Sequence, residues 1–350
     1  MKEIKSENYS IYLHSNRYDK LFNFIKSENY SKIFIHLDSN TKNLCLDVFL
    51  NQIDKIVYKT LVSKAGEQHK NIKSCLSLWN SLSKLKADRK SLIINLGGGV
   101  VCDMGGFIAS TFKRGIDYIN IPTTLLSMVD ASLGSKTGID LGVLKNQIGT
   151  FYDPKMVIID TLYLKTLCDK ELLSGYAEIF KHSIISNTNT FNLLISNDLN
   201  LKSINIIKES IEIKNNIVLI DKRETKERKA LNYGHTLGHA IESYFLKSEK
   251  QLLHGEAISI GIVLASFISV KKAGLSKDIL EKIKNHVLKI YKKISFLEND
   301  IQEILKLLVH DKKNSHERIN FVLIKNIGVP VYDIEVNNDL IIKAFKYYSS

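Results

Sequence analysis

Three histidines in the second half of the chain carry its sharpest chemical signal. His235 and His239 lie four residues apart in LNYGHTLGHAIE, so on a helix they share one face, which is the spacing a metal ion uses. His254 follows in LLHGEAISIGIV and adds a third imidazole. Upstream, SGYAEIFKH places Glu178 and Lys181 one helical turn apart, offering a carboxylate and an ammonium group to the same cleft. One histidine alone would more often be a core or surface residue, but the grouping beside glycines favours a metal site with His235 and His239 as paired ligands.

A glycine-rich segment, LGGGVVCDMGGF at residues 96–107, predicts a nucleotide-binding turn. It follows a predicted strand and opens a helix, where backbone N–H groups attract a pyrophosphate and glycines let the backbone come close to it. The alternative is a tight turn without a ligand, because Cys102 replaces the third glycine of the dinucleotide-binding fingerprint. Asp103 is then either a partner of the helix dipole or a ligand contact.

The next segment, PTTLLSMVDASLGSKTGID at residues 122–140, is too rich in Gly, Ser and Thr for core packing and predicts a binding loop. Within it, Asp130 and Lys136 are suited to orient a polar substrate. Further on, LKNQIG brings together Lys145 and Asn146, a cation and an amide suited to phosphate or cofactor oxygens. Taken alone, each of these is more often a surface residue.

Length and composition indicate a globular protein with two domains. The chain has 350 residues, 44% hydrophobic and 25% charged, which exceeds the usual length of a single core. The first residues, MKEIKSENYS, lack the apolar core of a secretory signal. The apolar stretch 257–270 falls short of the ~20 residues that cross a bilayer. We therefore expect a cytoplasmic protein without a membrane partner, in which this stretch is a buried helix.

The charge distribution argues against a nucleic-acid partner, and the cysteine spacing argues against a zinc cluster or disulfide framework. The formal net charge of +12 admits nucleic acid or a small polyanion, but the densest basic run, at 222–229, is interrupted by Glu224 and Glu227. We therefore expect no nucleic-acid partner. The four cysteines lie far apart without a CxxC pair, so we expect buried thiols and neither a zinc cluster nor a disulfide framework.

The hydrophobic pattern divides the chain into two parts. The first alternates amphipathic stretches with β-branched runs, which predict strands at residues 32–37, 55–62, 91–96, 117–122 and 156–160. This pattern is typical of βαβ units around a largely parallel sheet. From residue 161 to about 310 the apolar residues recur at three and four positions, which predicts helices. A β-hairpin from INFVLI and GVPVYDI and a last helix are predicted near the end.

Over nearly its whole length, the chain resembles the 3-dehydroquinate synthase family of sugar-phosphate cyclases. The motifs that carry the resemblance are, in order, GEQHK, GGGVVCDMGGF, FKRG, PTTLLSMVDASLGSKTGI, LKNQIGTFYDP, SGYAEIFKH, KERKALNYGHTLGHAIE, HGEAISIG and HDKKN. The resemblance implies conversion of 3-deoxy-arabino-heptulosonate 7-phosphate to 3-dehydroquinate and phosphate, with NAD and zinc or cobalt. It also implies a Rossmann-like NAD-binding α/β domain at residues 1–161 and a mainly α-helical metal- and substrate-binding domain at residues 162–350.

The resemblance assigns roles position by position. The implied metal ligands are Glu178, His235 and His254, whereas His239 meets the substrate phosphate, which differs from the pairing expected from spacing. The implied NAD contacts are Asp38, Glu67, Lys70, Gly97, Gly98, Gly99, Asp103, Thr123, Thr124 and Lys145. The implied substrate contacts are Asp130, Lys136, Asn146, Lys181, Lys214, Arg228, Asn232, His239 and either Lys312 or Lys313. Arg114 would reach the active site of a partner subunit, which implies a homodimer.

Two other enzyme classes are alternatives. A metal-dependent alcohol dehydrogenase of the glycerol-dehydrogenase type would share NAD and a metal, but it has little use for the phosphate-directed groups Lys136, Lys181, Arg228 and His239. A sister cyclase would make a different ring from another sugar phosphate. Arg228, Asn232 and His239 favour dehydroquinate synthesis over it.

Overall fold

The computed structural model describes residues 2–13, 18–53, 56–142, 144–186, 188–196, 200–246, 251–308 and 319–350. The chain forms two compact units. The first comprises Met1–Cys168 and Ile207–Asn215, and the second comprises Asp169–Ile206 and Asn216–Ser350. The domain boundary expected after residue 161 stays a prediction.

The first unit is an α/β domain built on a seven-stranded sheet. Its strands are β1 (Lys2–Lys5), β2 (Ser10–Leu13), β3 (Lys32–Asp38), β4 (Tyr58–Ser63), β5 (Ser91–Gly97), β6 (Asp117–Pro122), β7 (Lys136–Leu141), β8 (Leu144–Phe151) and β9 (Met156–Ile159). Its helices are α1 (Asp19–Glu28), α2 (Ser39–Leu44), α3 (Leu46–Leu50), α4 (Ile72–Lys84) and α5 (Gly99–Thr111). Seven of these strands form the main sheet in the order β1-β2-β9-β6-β5-β3-β4, and among the described strands of that sheet only the β1–β2 pair is antiparallel.

Each of the five runs predicted as strands contains a strand of this sheet, which confirms the parallel α/β prediction. The interpretation of residues 122–140 as a loop was wrong, because Ser127–Ala131 forms a short helix and the end of the segment runs into β7, which pairs with β8 in a separate antiparallel hairpin. Thr137 and Ile139 are buried there. Helix α5 packs closely on this hairpin, since a side chain on Gly106 would place its Cβ 2.5 Å from Thr137 Cγ2.

A row of buried polar side chains crosses the middle of the sheet. His36, Asn95 and Asn120 occupy paired positions on β3, β5 and β6. His36 Nδ1 lies 3.2 Å from Asn95 Oδ1, and Asn95 Nδ2 donates to Asn120 Oδ1 at 2.9 Å. Asn120 Nδ2 in turn donates to the carbonyl of Ser132 at 3.2 Å. The row therefore connects the centre of the sheet with the segment that follows Asp130.

Glycine lets α5 lie directly on this polar row. A Cβ at Gly105 would stand 1.9 Å from Asn95 Oδ1 and 2.7 Å from His36 Nδ1. Real side-chain atoms do not approach so closely, so either the helix or the polar row would have to shift. The position of α5, and with it the glycine-rich turn at its start, depends on the missing side chain.

The second unit is mainly helical. Its elements are α6 (Asp169–Ser186), α7 (Thr188–Ser196), α8 (Ile204–Ile220), α9 (His235–Phe245), α10 (His254–Lys272), α11 (Lys277–Ile290), α12 (Glu298–Leu308), β10 (Asn320–Asn326), β11 (Val329–Glu335) and α13 (Asn338–Ser349). The middle of α8, Ile207–Asn215, groups with the first unit. The helical region, the antiparallel β10–β11 hairpin and the last helix confirm the predictions made for them.

Helix α10 is the central helix of the second unit. By length and composition it could cross a membrane, but 72% of its apolar window is buried inside the protein, as in a core helix. This confirms the buried helix expected over residues 257–270. Of the cysteines, Cys45, Cys75 and Cys102 are buried as expected, whereas Cys168 is exposed.

Replacing Gly105 with alanine should lower the free energy of unfolding by about 1–3 kcal/mol, because the added methyl group overpacks the contact with Asn95. Urea unfolding followed by the fluorescence of Trp79 measures this. Trp79 on α4 is the single tryptophan of the chain, and its ring lies 6.1 Å from that of Phe107, which is on the same helix as Gly105, with the ring planes tilted by 50°. At an exposed helical position the same change would stabilise the protein by about 1 kcal/mol. An increase in stability would therefore contradict the packing described here.

Acid should destabilise the first unit through His36. Burial lowers the pKa of this imidazole from 6.5 to about 4. Between these two pH values the imidazole is therefore protonated in the unfolded chain and neutral in the folded chain. Stability is complete above pH 6.5 and is lost as the pH falls towards 4. Between pH 7 and pH 5, His36 should lower the free energy of unfolding by about 2 kcal/mol. In His36→Gln, the loss of unfolding free energy over this pH range, followed by Trp79 fluorescence, should be smaller by that amount. Equal pH dependence in both proteins would refute the assignment.

Candidate active site

A buried carboxylate and two imidazoles converge in the second unit. Glu178 lies on α6 and is fully buried. Its Oε1 is 3.4 Å from His235 Nε2 and 3.5 Å from His254 Nε2, at the first residues of α9 and α10. His239 shares α9 with His235, as predicted, and the ligand atoms of the three imidazoles lie within 4.8 Å of one another. The structure thus brings together every residue that either ligand assignment names.

The outer atoms of these groups are held by neighbours. His235 Nδ1 lies 3.2 Å from the carbonyl of Tyr233, which can only accept a hydrogen bond, so Nδ1 carries the proton and Nε2 offers its lone pair. His254 Nδ1 lies 3.1 Å from Glu242 Oε2. On Glu178, Oε2 accepts from Lys181 Nζ, while Oε1 is directed at the imidazoles. The atoms that face one another, Glu178 Oε1, His235 Nε2 and His254 Nε2, form one group of potential metal ligands.

This donor set fits a tetrahedral zinc or cobalt ion. Metal–ligand distances of about 2.0–2.2 Å place neighbouring ligand atoms about 3.3–3.6 Å apart in a tetrahedron. The Oε1–Nε2 separations of 3.4 and 3.5 Å fall within that range. Oxygen and imidazole nitrogen are ligands that zinc accepts, and catalytic zinc sites keep a fourth position for water or substrate. The residues therefore suit a catalytic ion in identity and spacing.

The charges of the site favour a cation. Burial disfavours the protonated form of His254, but Glu242 and Glu178 outweigh it and raise the pKa of this imidazole to about 9. Two carboxylates around one imidazole thus make the position attractive to positive charge, whether a proton or a metal ion.

Glycines bring α9 and α10 close enough for these contacts. A Cβ at Gly238 would lie 2.6 Å from Ile258 Cδ1, and one at Gly261 would lie 2.1 Å from the carbonyl of Gly234. Gly234 has φ +78°, a left-handed conformation that L side chains rarely adopt, and it turns the chain into α9 directly before His235. The GHTLGH sequence thus combines the two histidines of the site with the two glycines that let α9 lie close to α10.

Arg228 and Asn232 lie on the short 3₁₀ helix Glu227–Asn232, which ends a loop organised by two acidic side chains. Asp221 accepts hydrogen bonds from the backbone N–H groups of Thr225, Lys226 and Arg228. Burial acts against the charged form, but these bonds outweigh it and lower the pKa of Asp221 to about 2. Arg228 is buried, with Nη1 donating to the carbonyl of Lys222 at 2.5 Å.

Asn232, the second predicted substrate contact of this loop, donates to the carboxylate of Glu224 through Nδ2. The two carboxylates that hold Arg228 and Asn232, those of Asp221 and Glu224, are close to them in sequence. The loop therefore presents an arginine and an amide whose positions are set locally.

In the first unit, four of the residues predicted for NAD, Glu67, Lys70, Asp103 and Lys145, form one charged cluster. Lys70 Nζ donates to Asp103 Oδ2 at 2.7 Å and to Asn146 Oδ1 at 2.6 Å. Lys145 Nζ pairs with Glu67 Oε1 at 3.1 Å. Burial opposes the charge on Lys70, but Asp103 and Glu67 raise the pKa of its ammonium group. Asn146, which the resemblance assigned to the substrate, thus contacts residues assigned to the cofactor.

The glycine-rich turn follows β5 and opens α5, as predicted. Gly98 is the N-cap of α5 and Gly99 its first residue. A Cβ at Gly98 would stand 3.1 Å from Thr124 Cγ2, and one at Gly97 would stand 2.6 Å from Val101 Cβ. The turn needs glycine because other side chains already occupy that space, and N–H groups at the start of a helix suit a pyrophosphate. Thr123 donates its backbone N–H to the carbonyl of Gly97, which ties β6 to the turn.

The remaining predicted residues of the first unit are placed as follows. Asp130 accepts from Lys214 Nζ at 2.7 Å, so this pair is brought together from distant parts of the sequence. Lys136 is exposed at the start of β7, and Arg114 is exposed after α5. Asp38 caps α2, accepting from the backbone N–H groups of Asn40 and Thr41.

Lys312 and Lys313 lie outside the described residues.

Glu242 and Asp221 are two further residues of the site that were not predicted from the sequence. Glu242 follows His235 and His239 at helical spacing, so the face of the helix that carries the histidines also carries this carboxylate. That spacing was visible, but only the fold shows its contact with His254. Asp221 had no comparable signal, because its role depends on the conformation of the loop that follows it.

Comparisons with known proteins agree with these observations. The family model described as 3-dehydroquinate synthase N-terminal matches residues 60–174, and the model described as 3-dehydroquinate synthase C-terminal matches residues 175–314. A 3-dehydroquinate synthase of Parabacteroides distasonis is 39% identical over 94% of this chain and 94% of that protein. One from Nitratiruptor sp. is 40% identical, covering 99% of this chain and 97% of that protein.

Solved structures share the fold. A 2-deoxy-scyllo-inosose synthase, solved with carbaglucose-6-phosphate, NAD+ and Co2+, has a TM-score of 0.86, with 23% identity and 99% coverage of both chains. The 2-epi-5-epi-valiolone synthase of Streptomyces hygroscopicus, with NAD+ and Zn2+ bound, has a TM-score of 0.85, with 22% identity over 100% of this chain and 99% of that chain. A butanol dehydrogenase of Thermotoga maritima reaches 0.68 at 13% identity over 98% of this chain and 97% of that chain. From its motifs, its site and its relatives, the chain belongs to the 3-dehydroquinate synthase family.

Proposed function

We propose that the chain converts 3-deoxy-arabino-heptulosonate 7-phosphate to 3-dehydroquinate and phosphate, as a carbon–oxygen lyase that depends on NAD and a divalent metal. The observation that carries the proposal is the buried Glu178 carboxylate facing His235 Nε2 and His254 Nε2 at tetrahedral spacing, in a chain of this family. Relatives at 39% and 40% identity carry the corresponding name.

Glu178, His235 and His254 would hold zinc or cobalt, and the turn at Gly97, Gly98 and Gly99 would take the NAD pyrophosphate. When bound, these groups supply a Lewis acid for a substrate hydroxyl and a reversible hydride acceptor, which together acidify the carbon next to the leaving phosphate. The solved cyclases with NAD+ and Co2+ or Zn2+ support this choice of cofactors. The other NAD contacts assigned are Asp38, Glu67, Lys70, Asp103, Thr123, Thr124 and Lys145.

Residues of the second unit would bind the charged ends of the substrate. Lys181 and His239 adjoin the metal ligands and would offset the charge of the departing phosphate. Arg228 presents a planar fork suited to a carboxylate, and the Asp221-organised loop holds it in place. Asn232 would complete this set. The substrate contacts assigned in the first unit are Asp130, Lys136, Asn146 and Lys214.

We further infer a cytoplasmic homodimer. Arg114 is exposed and its φ of 71° turns the chain sharply after α5, which suits a side chain that reaches a neighbouring subunit. The family resemblance assigns it that role.

The purified protein, given the heptulosonate phosphate with zinc and NAD well below the substrate concentration, should release phosphate and dehydroquinate in equal amounts. NADH should not accumulate, because the hydride is returned within each turnover. Phosphate release and dehydroquinate absorbance measure the two products. Phosphate-independent NADH formation from glycerol, without either product, would instead indicate an alcohol dehydrogenase.

His254→Ala should lose bound zinc and lower kcat by at least about 10³-fold, because one of three protein ligands is removed. Zinc content by mass spectrometry of the purified protein checks the first effect and product formation the second. His286→Gln is the matched control, since His286 is a buried imidazole of the same unit that bonds to Tyr176. It should keep its zinc. Full zinc content in His254→Ala with normal turnover would refute the ligand assignment.

A further inference from the structure

Glu242 is a buried carboxylate that none of the assigned roles uses. It lies on α9, two turns beyond His235, and is 5% exposed. Its Oε2 is 3.1 Å from His254 Nδ1, the imidazole nitrogen that faces away from Glu178. Burying a carboxylate in a helical core is costly unless it is paired, so its position calls for a partner of opposite polarity.

The chemistry of imidazole defines what this contact can do. A neutral ring has one N–H and one lone pair, and only the lone pair can bind a metal ion. A carboxylate accepts hydrogen bonds, so Glu242 stabilises the proton on Nδ1 of His254 and leaves the lone pair on Nε2. Nε2 is the atom that faces Glu178 Oε1 at 3.5 Å. The carboxylate therefore selects the tautomer and the ring orientation that the metal site needs.

The two histidines differ in this respect. His235 Nδ1 faces a backbone carbonyl, that of Tyr233, at 3.2 Å. His254 Nδ1 faces a charged group, which makes its ring the more basic ligand. In addition, His254 is half-buried while His235 is buried, so its ring has more need of a partner to fix its orientation.

We propose that Glu242 is a positioning residue that sets the affinity of the metal centre by holding His254 as an Nε2 ligand. The inference rests on the proposed metal site of Glu178, His235 and His254. It does not require that the substrate be the heptulosonate phosphate. A purely structural role, tying α9 to the start of α10, is the competing explanation.

Zinc affinity of the full chain, measured by competition with a fluorescent chelator, tests the proposal. Glu242→Gln keeps the size and an acceptor oxygen but loses the charge, and it should weaken zinc binding by about 10–100-fold. Glu256→Gln is the matched control. Glu256 lies in the first turn of α10, accepts from the N–H of Leu253, and pairs with Lys170 at 3.4 Å. Removing its charge should change zinc affinity by no more than about twofold, because the groups that its half-buried carboxylate contacts, on Leu253 and Lys170, are not metal ligands.

A second measurement does not depend on any variant folding. In the zinc-loaded natural protein labelled with ¹⁵N-histidine, His254 should show a protonated Nδ1 and a metal-bound Nε2. Coordination through Nδ1 would overturn the proposal. So would zinc affinity that is unchanged in Glu242→Gln, or reduced equally in Glu256→Gln. Lower thermal stability of metal-free Glu242→Gln with unchanged zinc affinity would assign the residue to the structural role instead.

The outcomes also separate this inference from the proposed function. Zinc binding that depends on Glu242, in a protein that makes no dehydroquinate, would leave the inference standing and reject the substrate. Failure of the natural protein to bind zinc would reject the metal site itself, and both proposals with it.

Discussion

The second unit depends on the burial of one carboxylate. Glu178 is fully buried, and several kcal/mol are lost per ion unless such a charge is paired. Lys181 on the same helix meets one of its oxygens, and the imidazoles at the starts of two further helices meet the other. The packing of α6, α9 and α10 is therefore tied to the same contacts that would hold a metal ion. Stability and chemistry are properties of one cluster here.

The first unit also buries polar side chains, but these are neutral and hydrogen-bond to one another. His36, Asn95 and Asn120 satisfy one another across the sheet, so a polar row can be buried without charge. The missing side chain of Gly105 lets α5 lie on that row, which places the N–H groups at the start of the helix. The first unit also carries the charged cluster of Lys70, Asp103 and Glu67, in which the lysine is buried and the two carboxylates are half-buried.

Much of this organisation was predictable from local patterns. Alternating β-branched runs identified five strands of the sheet, and the helical period of the second half identified its class, because both signals arise within a few neighbouring residues. The β7–β8 hairpin was not predicted, because its small residues are buried by contact with α5 and a local sequence pattern does not contain that contact. The role of Glu242 was not predicted for the same reason, since its partner His254 lies on another helix.

The sequence alone determined which groups are available for chemistry: the histidine pair on one helix face, the glycine turn after a strand, and the ordered motifs of the family. Tertiary structure alone decided how they are joined. It directs Nε2 of His235 and His254 at Glu178, brings Lys214 to Asp130, and sets Glu242 behind His254. The reason is physical: helical spacing fixes which residues share a face, whereas contacts between elements depend on how closely glycines let those elements approach.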